Sequence, residues 1–239
     1  MPGFPDAPNL LGALGVLITR PEPGASDTAR RIAALGLLPI LAPCLTIEPL
    51  PVRLPPGLQA VLVSSGNAIP ALPGALHGLP LLAVGDATAA RAQAAGFRHV
   101  ESADGDAAAL GVLAAERCPE HASLLLATGQ GQGGGLAADL RRRGFRVHRR
   151  VVYAARPVVR LPGPAREALM AGGLRAALFL SAETARAFIR VLPAALHPAM
   201  ATVDALAIGQ PAALALQQLP WRRVRVSAKP TLDSVLAML

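Results

Sequence analysis

The sequence predicts an α/β protein of two similar domains, each a three-layer arrangement in which a parallel sheet is covered by helices on both faces. Short, almost wholly apolar stretches alternate with helical segments of about ten residues, the pattern of strands buried on both sides and joined by crossover helices. The chain also repeats itself. Leu124–Pro157, LLLATGQGQGGGLAADLRRRGFRVHRRVVYAARP, slides back 108 residues without a gap onto Val16–Pro49, so that Gly144 meets Gly36 and Pro157 meets Pro49. The echo extends further, AVLVSSGNA at Ala60 lying over AALFLSAET at Ala176, and LAVGDATAARA at Leu82 over LAIGQPAALAL at Leu206. Two copies are fewer than a solenoid needs to bury its faces, so an internal duplication into two domains is expected.

Taken in order, the residues before Leu14 are rich in Pro and Gly and read as a loose lead-in. Strand Gly15–Thr19 feeds a helix over Ser26–Leu35, with Ser26 or Asp27 placed to cap it and Gly36 to end it. Leu37–Leu50 carries Pro39, Pro43 and Pro49 and is expected as an edge or a connector, because proline cannot donate to a ladder. Strand Ala60–Ser64, a helix from Asn67, strand Leu81–Val84, helix Asp86–Ala95 and strand Arg98–Ser102 follow. Helix Asp106–Arg117 and strand Ser123–Ala127 lead into the glycine-rich turn, a helix that ends at Gly144, and a strand that closes on Pro157. The last part repeats the order with strand Ala176–Leu180, a helix from Glu183, strand Ala205–Ile208, a helix to Leu219, strand Arg223–Ser227 and helix Thr231–Met238.

Composition narrows the function. Hydrophobic residues make up 52% of the 239, enough to fill two cores, whereas aromatics are 3%, too few for base-stacking platforms. The net charge is +8, and 22 of the 23 basic residues are arginine, whose planar fork suits carboxylate or phosphate; an anionic small-molecule partner is expected, and nucleic acid is not. Cys44 and Cys118 stand apart, with no metal-ligand spacing, so reduced buried thiols are expected and no metal site. The apolar run Leu10–Ile18 has no basic residue before it, and the run Ala33–Ile47 is broken by prolines, so neither a secretory signal nor a membrane span is read and a cytoplasmic protein is expected.

In parallel sheets ligands bind beyond the carboxyl ends of the strands, where loops present backbone N–H groups at helix starts. Here those ends are small or polar: Thr19-Arg20, Ser64-Ser65-Gly66-Asn67, Gly85 with Thr88, Thr128-Gly129, Ser181-Ala182 and Gly209-Gln210. The expectation is a cleft between the two domains, lined by these amides and hydroxyls and suited to anions.

With these residues assembled, the chain resembles uroporphyrinogen-III synthases from Val16 to Leu239. The matching pieces are VLITRP, the helix ending in ALG, VSSGNAI, VGDATA, VVYAARP, FLSAETARAF, AIGxxxAxAL and A-x-P-T before the last helix. Each is weak alone; their order and spacing are specific. The resemblance implies two Rossmann-like or flavodoxin-like domains: residues 1–38 with 160–239, residues 50–144, and two connector strands, 37–49 and 145–158. It implies an enzyme, acting as a monomer, that dehydrates the linear tetrapyrrole hydroxymethylbilane and closes it with ring D inverted. The substrate is a polycarboxylate, and no cofactor is needed because the pyrroles supply the electrons.

By the same resemblance Tyr153, the single tyrosine, aids departure of the hydroxyl. Arg20, Ser64, Ser65, Gly66, Asn67, Gly85, Thr88, Ser181, Ala182, Gly209 and Gln210 hold substrate. Without the resemblance, Tyr153 reads as a core tyrosine and the serines as helix caps. The chain departs from the family pattern where Thr128 and Gly133 replace arginines and Ala212 a threonine. A synthase-like paralogue that has lost turnover is therefore an alternative. So is an NADP-binding reductase, because Gly129-x-Gly131-x-x-Gly134 satisfies the dinucleotide pattern and Arg149 and Arg150 follow about twenty residues on.

Overall fold

The structure is a computed structural model and describes residues 15–239; the expected lead-in lies outside the described residues. Two compact units divide it, one comprising the chain up to Thr46 together with Arg156–Leu239, the other Ile47–Ala155. The strands in chain order are β1 (Gly15–Ile18), β2 (Leu38–Leu41), β3 (Leu45–Pro49), β4 (Ala60–Val63), β5 (Pro80–Ala83), β6 (His99–Ser102), β7 (Ser123–Gly129), β8 (Arg146–Pro157), β9 (Leu174–Phe179), β10 (Asp204–Ala207) and β11 (Arg223–Val226). The α-helices are α1 (Gly24–Ala34), α2 (Asp86–Ala94), α3 (Ala107–Arg117), α4 (Gly134–Arg142), α5 (Gly163–Ala171), α6 (Ala182–Val191), α7 (Gln210–Leu216) and α8 (Leu232–Leu236).

The first unit holds a five-stranded sheet in the order β11-β10-β9-β1-β2, parallel throughout. One face packs Val16, Ile18, Ala176, Leu178 and Leu206 against Ala25 and Ile32 of α1 and Val235 and Leu236 of α8. Among the buried aromatics of this unit, Phe179 and Phe188 meet edge to face with ring centroids 5.4 Å apart, and Trp221 stands 5.5 Å from Phe179.

The second unit holds a six-stranded sheet, β3-β8-β7-β4-β5-β6, whose pairs from β8 to β6 are parallel. Alternation along the strands separates two cores. Val61, Val63, Leu81, Leu125 and Tyr153 join Phe97 on one face; Leu62, Leu124 and Leu126 join Leu110, Leu140 and Phe145 on the other.

Both segments expected as connectors are built into sheets. The proline-punctuated segment splits: β2 forms the edge of the first sheet, where Pro39 opposite Val16 leaves only an outward donor missing, and β3 forms the edge of the second. The later segment becomes β8, twelve residues that pair with β7 from Arg146 opposite Ser123 to Tyr153 opposite Gly129.

Local details depart from expectation for identifiable reasons. Neither Ser26 nor Asp27 caps α1, which starts two residues earlier with Pro23 at its N-cap; the Glu22 carboxylate takes the Ser26 amide at 3.1 Å and its hydroxyl at 2.6 Å instead. The expected helix from Asn67 is a 3₁₀ helix, Gly66–Ala71, because Pro70 has no N–H to give to a longer helical ladder. Helix α5 lies in a stretch to which the sequence analysis assigns no element; Pro164 stands at the helix start, where proline is tolerated, and Gly172 at φ +68° ends it.

Candidate functional site

Because β8, β7, β4, β5 and β6 run parallel, their carboxyl ends reach one edge of the second sheet. Tyr153 arrives there in register with Gly129, the last residue of β7, across an irregularity between Thr128 and Gly129. Its ring lies against the Gly129 backbone: a Cβ at that glycine would stand 2.6 Å from the ring Cζ and 2.8 Å from the phenol oxygen. Tyr153 is only 3% exposed, and its hydroxyl donates to Gln132 Oε1 at 3.1 Å.

The turn between β7 and α4 is fastened on this strand. Gln130 N–H donates to the Tyr153 carbonyl at 3.0 Å, and Arg149 donates to the Gln132 carbonyl at 2.7 Å. Gly131 and Gly133 have φ of +75° and +76°, and a Cβ at Gly133 would come within 2.3 Å of Thr128 Cγ2. Two of the three glycines that satisfied the dinucleotide fingerprint thus answer to local needs, Gly129 to room for the tyrosine ring and Gly131 to a left-handed turn; the close approach to Thr128 is made by Gly133, outside the pattern, and a Cβ on Gly134 would meet nothing within 4 Å. Arg149, the residue placed for a 2′-phosphate, serves the turn.

Around the same edge, Ser64 and Ser65 follow β4. Ser65 Oγ accepts from Asn67 N–H at 3.3 Å and so caps the 3₁₀ helix. Arg91 of α2 lies over Gly66, where a Cβ would be 2.7 Å from its Nη1. Gly85 stands extended at the start of α2 with no side-chain cap, and a Cβ there would meet no atom within 4 Å. Thr88 is buried in the first turn of that helix. Gln132 and Arg91 were missed in the sequence. The signal for Gln132 was its place in the turn repeating the TRP end of β1, and Arg91 stands inside the VGDATAARA string that was read only for its glycine and threonine.

In the first unit the strand ends carry the other expected residues. Ser181 caps α6, accepting from Thr184 N–H at 3.1 Å and meeting the Thr184 hydroxyl at 2.8 Å, with Ala182 opening the helix. Gly209 is extended and half-buried before Gln210 and α7, and a Cβ on it would touch only Pro211 Cδ, at 3.9 Å. Arg20 folds back over the start of α1: its Nη1 donates to Thr28 Oγ1 at 3.3 Å, and a Cβ on Gly24 would stand 2.4 Å from its Cζ. Ala212 is buried in α7.

No nucleophilic thiol serves either group. Burial pushes the Cys44 thiol up to about 12 and raises that of Cys118. Among the described residues no group of three or more His, Cys, Asp or Glu could hold a metal ion, and no helix is long and apolar enough to cross a membrane.

The family described as uroporphyrinogen-III synthase HemD matches residues 26–237, nearly the whole chain. The chain belongs to the uroporphyrinogen-III synthase family. That makes it a lyase of tetrapyrrole biosynthesis, acting on a tetrapyrrole substrate. The crystal structure of uroporphyrinogen-III synthetase from Helicobacter pylori shares its fold, with a TM-score of 0.64 and 18% identity over 94% of this chain and 97% of that one. Wild-type uroporphyrinogen III synthase from the extreme thermophile Thermus thermophilus aligns at 24% identity and a TM-score of 0.44, covering 95% of this chain and 96% of that chain. No curated protein sequence matches the chain.

Proposed function

We propose that this chain turns hydroxymethylbilane over to uroporphyrinogen III, with Tyr153 assisting the loss of hydroxyl and the strand-end loops holding substrate carboxylates. Membership of the family across residues 26–237 carries the reaction. The residue roles rest on chemistry. A phenol with a pKa of about 10 stays protonated at neutral pH and can donate to a departing oxygen. As a pyrrole nitrogen lone pair expels the hydroxyl, the oxygen takes a proton and leaves as water, giving a cationic azafulvene that the terminal ring attacks. Gln132 Oε1 now holds the phenol's hydrogen bond, so the leaving oxygen takes the place of that amide oxygen in the reactive complex.

Gly85 and Gly209 support a substrate role for the loops: the fold demands a glycine at neither position, yet Gly85 leaves the first backbone N–H groups of α2 uncovered by a side chain, and Gly209 leaves that of Gln210, Pro211 having none. Such groups, with Ser64, Ser65, Asn67, Thr88, Ser181 and the Arg20 guanidinium, suit carboxylates. On this reading the protein works as a monomer in the cytoplasm, with no nucleic acid and no cofactor. Sedimentation at micromolar concentration tests the first point, a dimer being the contrary result.

The deciding experiment supplies enzymatically made hydroxymethylbilane, oxidises the product and separates type III from type I uroporphyrin. Wild type gives type III. Tyr153→Phe gives roughly 10²-fold slower type III formation, the lower end of a general-acid contribution, with more type I from uncatalysed closure. Type I alone from the wild type would mean a chain without synthase turnover, the impaired-paralogue outcome. Undiminished turnover in Tyr153→Phe would remove the tyrosine's role while leaving the reaction.

A further inference from the structure

A concentration of arginine lies in the first unit at the amino ends of its strands, the edge of that sheet opposite to the loops assigned to substrate. There a cavity of about 420 Å³ opens where β9, β10 and β11 begin. Arg175, Arg222, Arg223 and Arg225 line it, against one acidic side chain, Asp204.

The guanidinium groups are held in place by protein acceptors. Arg222 Nε donates to Asp204 Oδ1 at 2.7 Å and Arg223 Nη2 to Oδ2 at 2.7 Å, so the buried carboxylate braces two forks at once. Arg225 donates to the Met238 carbonyl at 2.8 Å, and Arg175 to the carbonyl of Leu239. A guanidinium carries about five N–H donors. These contacts use one or two on each arginine, leaving at least three apiece on residues that line the same space. Register brings three of these side chains together: Arg223 and Arg225 are two apart on the edge strand and share a face, and Arg223 stands opposite Asp204; Arg175 joins them from the irregularity in β9, where the pairing with β1 skips from Leu174 to Ala176.

We infer that this cavity binds a compact, multiply charged oxyanion, of the phosphoryl or polycarboxylate kind, at a site separate from the substrate loops. Fixed forks with surplus donors recognise paired oxygens in one plane, which both chemistries present. Arg222 and Arg223 are 46% and 60% exposed, so water and salt compete and the affinity falls with ionic strength.

Pyrophosphate and citrate serve as separate probes in calorimetric titrations of the full chain at low salt, with the fluorescence of Trp221, adjacent to Arg222, as a second readout. A saturable isotherm with one site is expected. Arg175→Gln with Arg225→Gln weakens binding tenfold or more while leaving the Asp204 brace intact. Arg175→Lys with Arg225→Lys keeps the charge but loses the fork and falls between. Arg142→Gln, which removes one positive charge from α4, and Tyr153→Phe bind as the wild type does. Saturation by pyrophosphate alone identifies a phosphoryl ligand, and by citrate alone a polycarboxylate. No saturable binding of either probe, or equal weakening by Arg142→Gln, overturns the site.

Discussion

The contact between Gly129 and Tyr153 ties a single missing methyl to the chemistry. A Cβ placed 2.6 Å from the ring Cζ has nowhere to go, since the tyrosine is buried among Val61, Val63 and Leu125 and the glycine is strand backbone. Gly129→Ala is therefore expected to destabilise the protein by about 1–3 kcal/mol through overpacking and to push the phenol off its Gln132 partner. Gly131→Ala is the control. Gly131 also lies in the turn, at φ +75° but with nothing within 4 Å of a Cβ, so only the left-handed backbone costs, about 1 kcal/mol. Urea unfolding should show both losses, and the type III fraction should fall for Gly129→Ala alone. Equal retention of type III by the two would detach the glycine from the tyrosine's work.

At the level of elements, Ser181 has two possible employments that one pair of variants separates. As the N-cap of α6 it satisfies the Thr184 amide; Ser181→Ala should cost about 1 kcal/mol. Ser181→Asp keeps a capping oxygen and suits the helix dipole, so stability should hold while the added negative charge repels a polyacid and raises KM. If KM is unchanged in Ser181→Asp, the serine is a cap and nothing more. The same double meaning set the limits of legibility. Strands such as β4, β5 and β7 are short apolar runs ended by small polar residues, so their existence, and with it the loops at their carboxyl ends, was readable from pattern alone. Side-chain competition was not: Glu22 displaced Ser26 and Asp27 at α1, and Pro70 shortened a helix. Gln132 and Arg91 escaped because a partner reached across a turn, or a long side chain lying over a glycine, leaves no trace in periodicity.

For the whole molecule, the useful asymmetry is that the single tryptophan and the single tyrosine fall in different units, each with its own core. Trp221 contacts Phe179 and Phe188 in the first unit, and Tyr153 is buried in the second. Tryptophan fluorescence and tyrosine derivative absorbance therefore report the two cores separately. Asp204 supplies a perturbation confined to the first. Hydrogen bonds from Arg222 and Arg223, outweighing the cost of burial, hold its carboxyl well below the usual range. A carboxyl depressed in the folded state contributes stability above its unfolded pKa of about 3.9 and loses it as pH falls through the folded value. The first unit should accordingly weaken as pH drops below about 4. In the second unit Glu101 and Asp139 are also lowered, by hydrogen bonds from Arg117 and Arg143, but these pairs are exposed and solvent screens them. Asp204→Asn should cost on the order of 2 kcal/mol at neutral pH, lower the tryptophan midpoint and flatten its dependence on acid, with the tyrosine midpoint unmoved. Gly129→Ala should shift the tyrosine midpoint and spare the tryptophan. Multi-unit chains need not unfold in one step, and coincident shifts of both probes in both variants would show that these two cores melt as one.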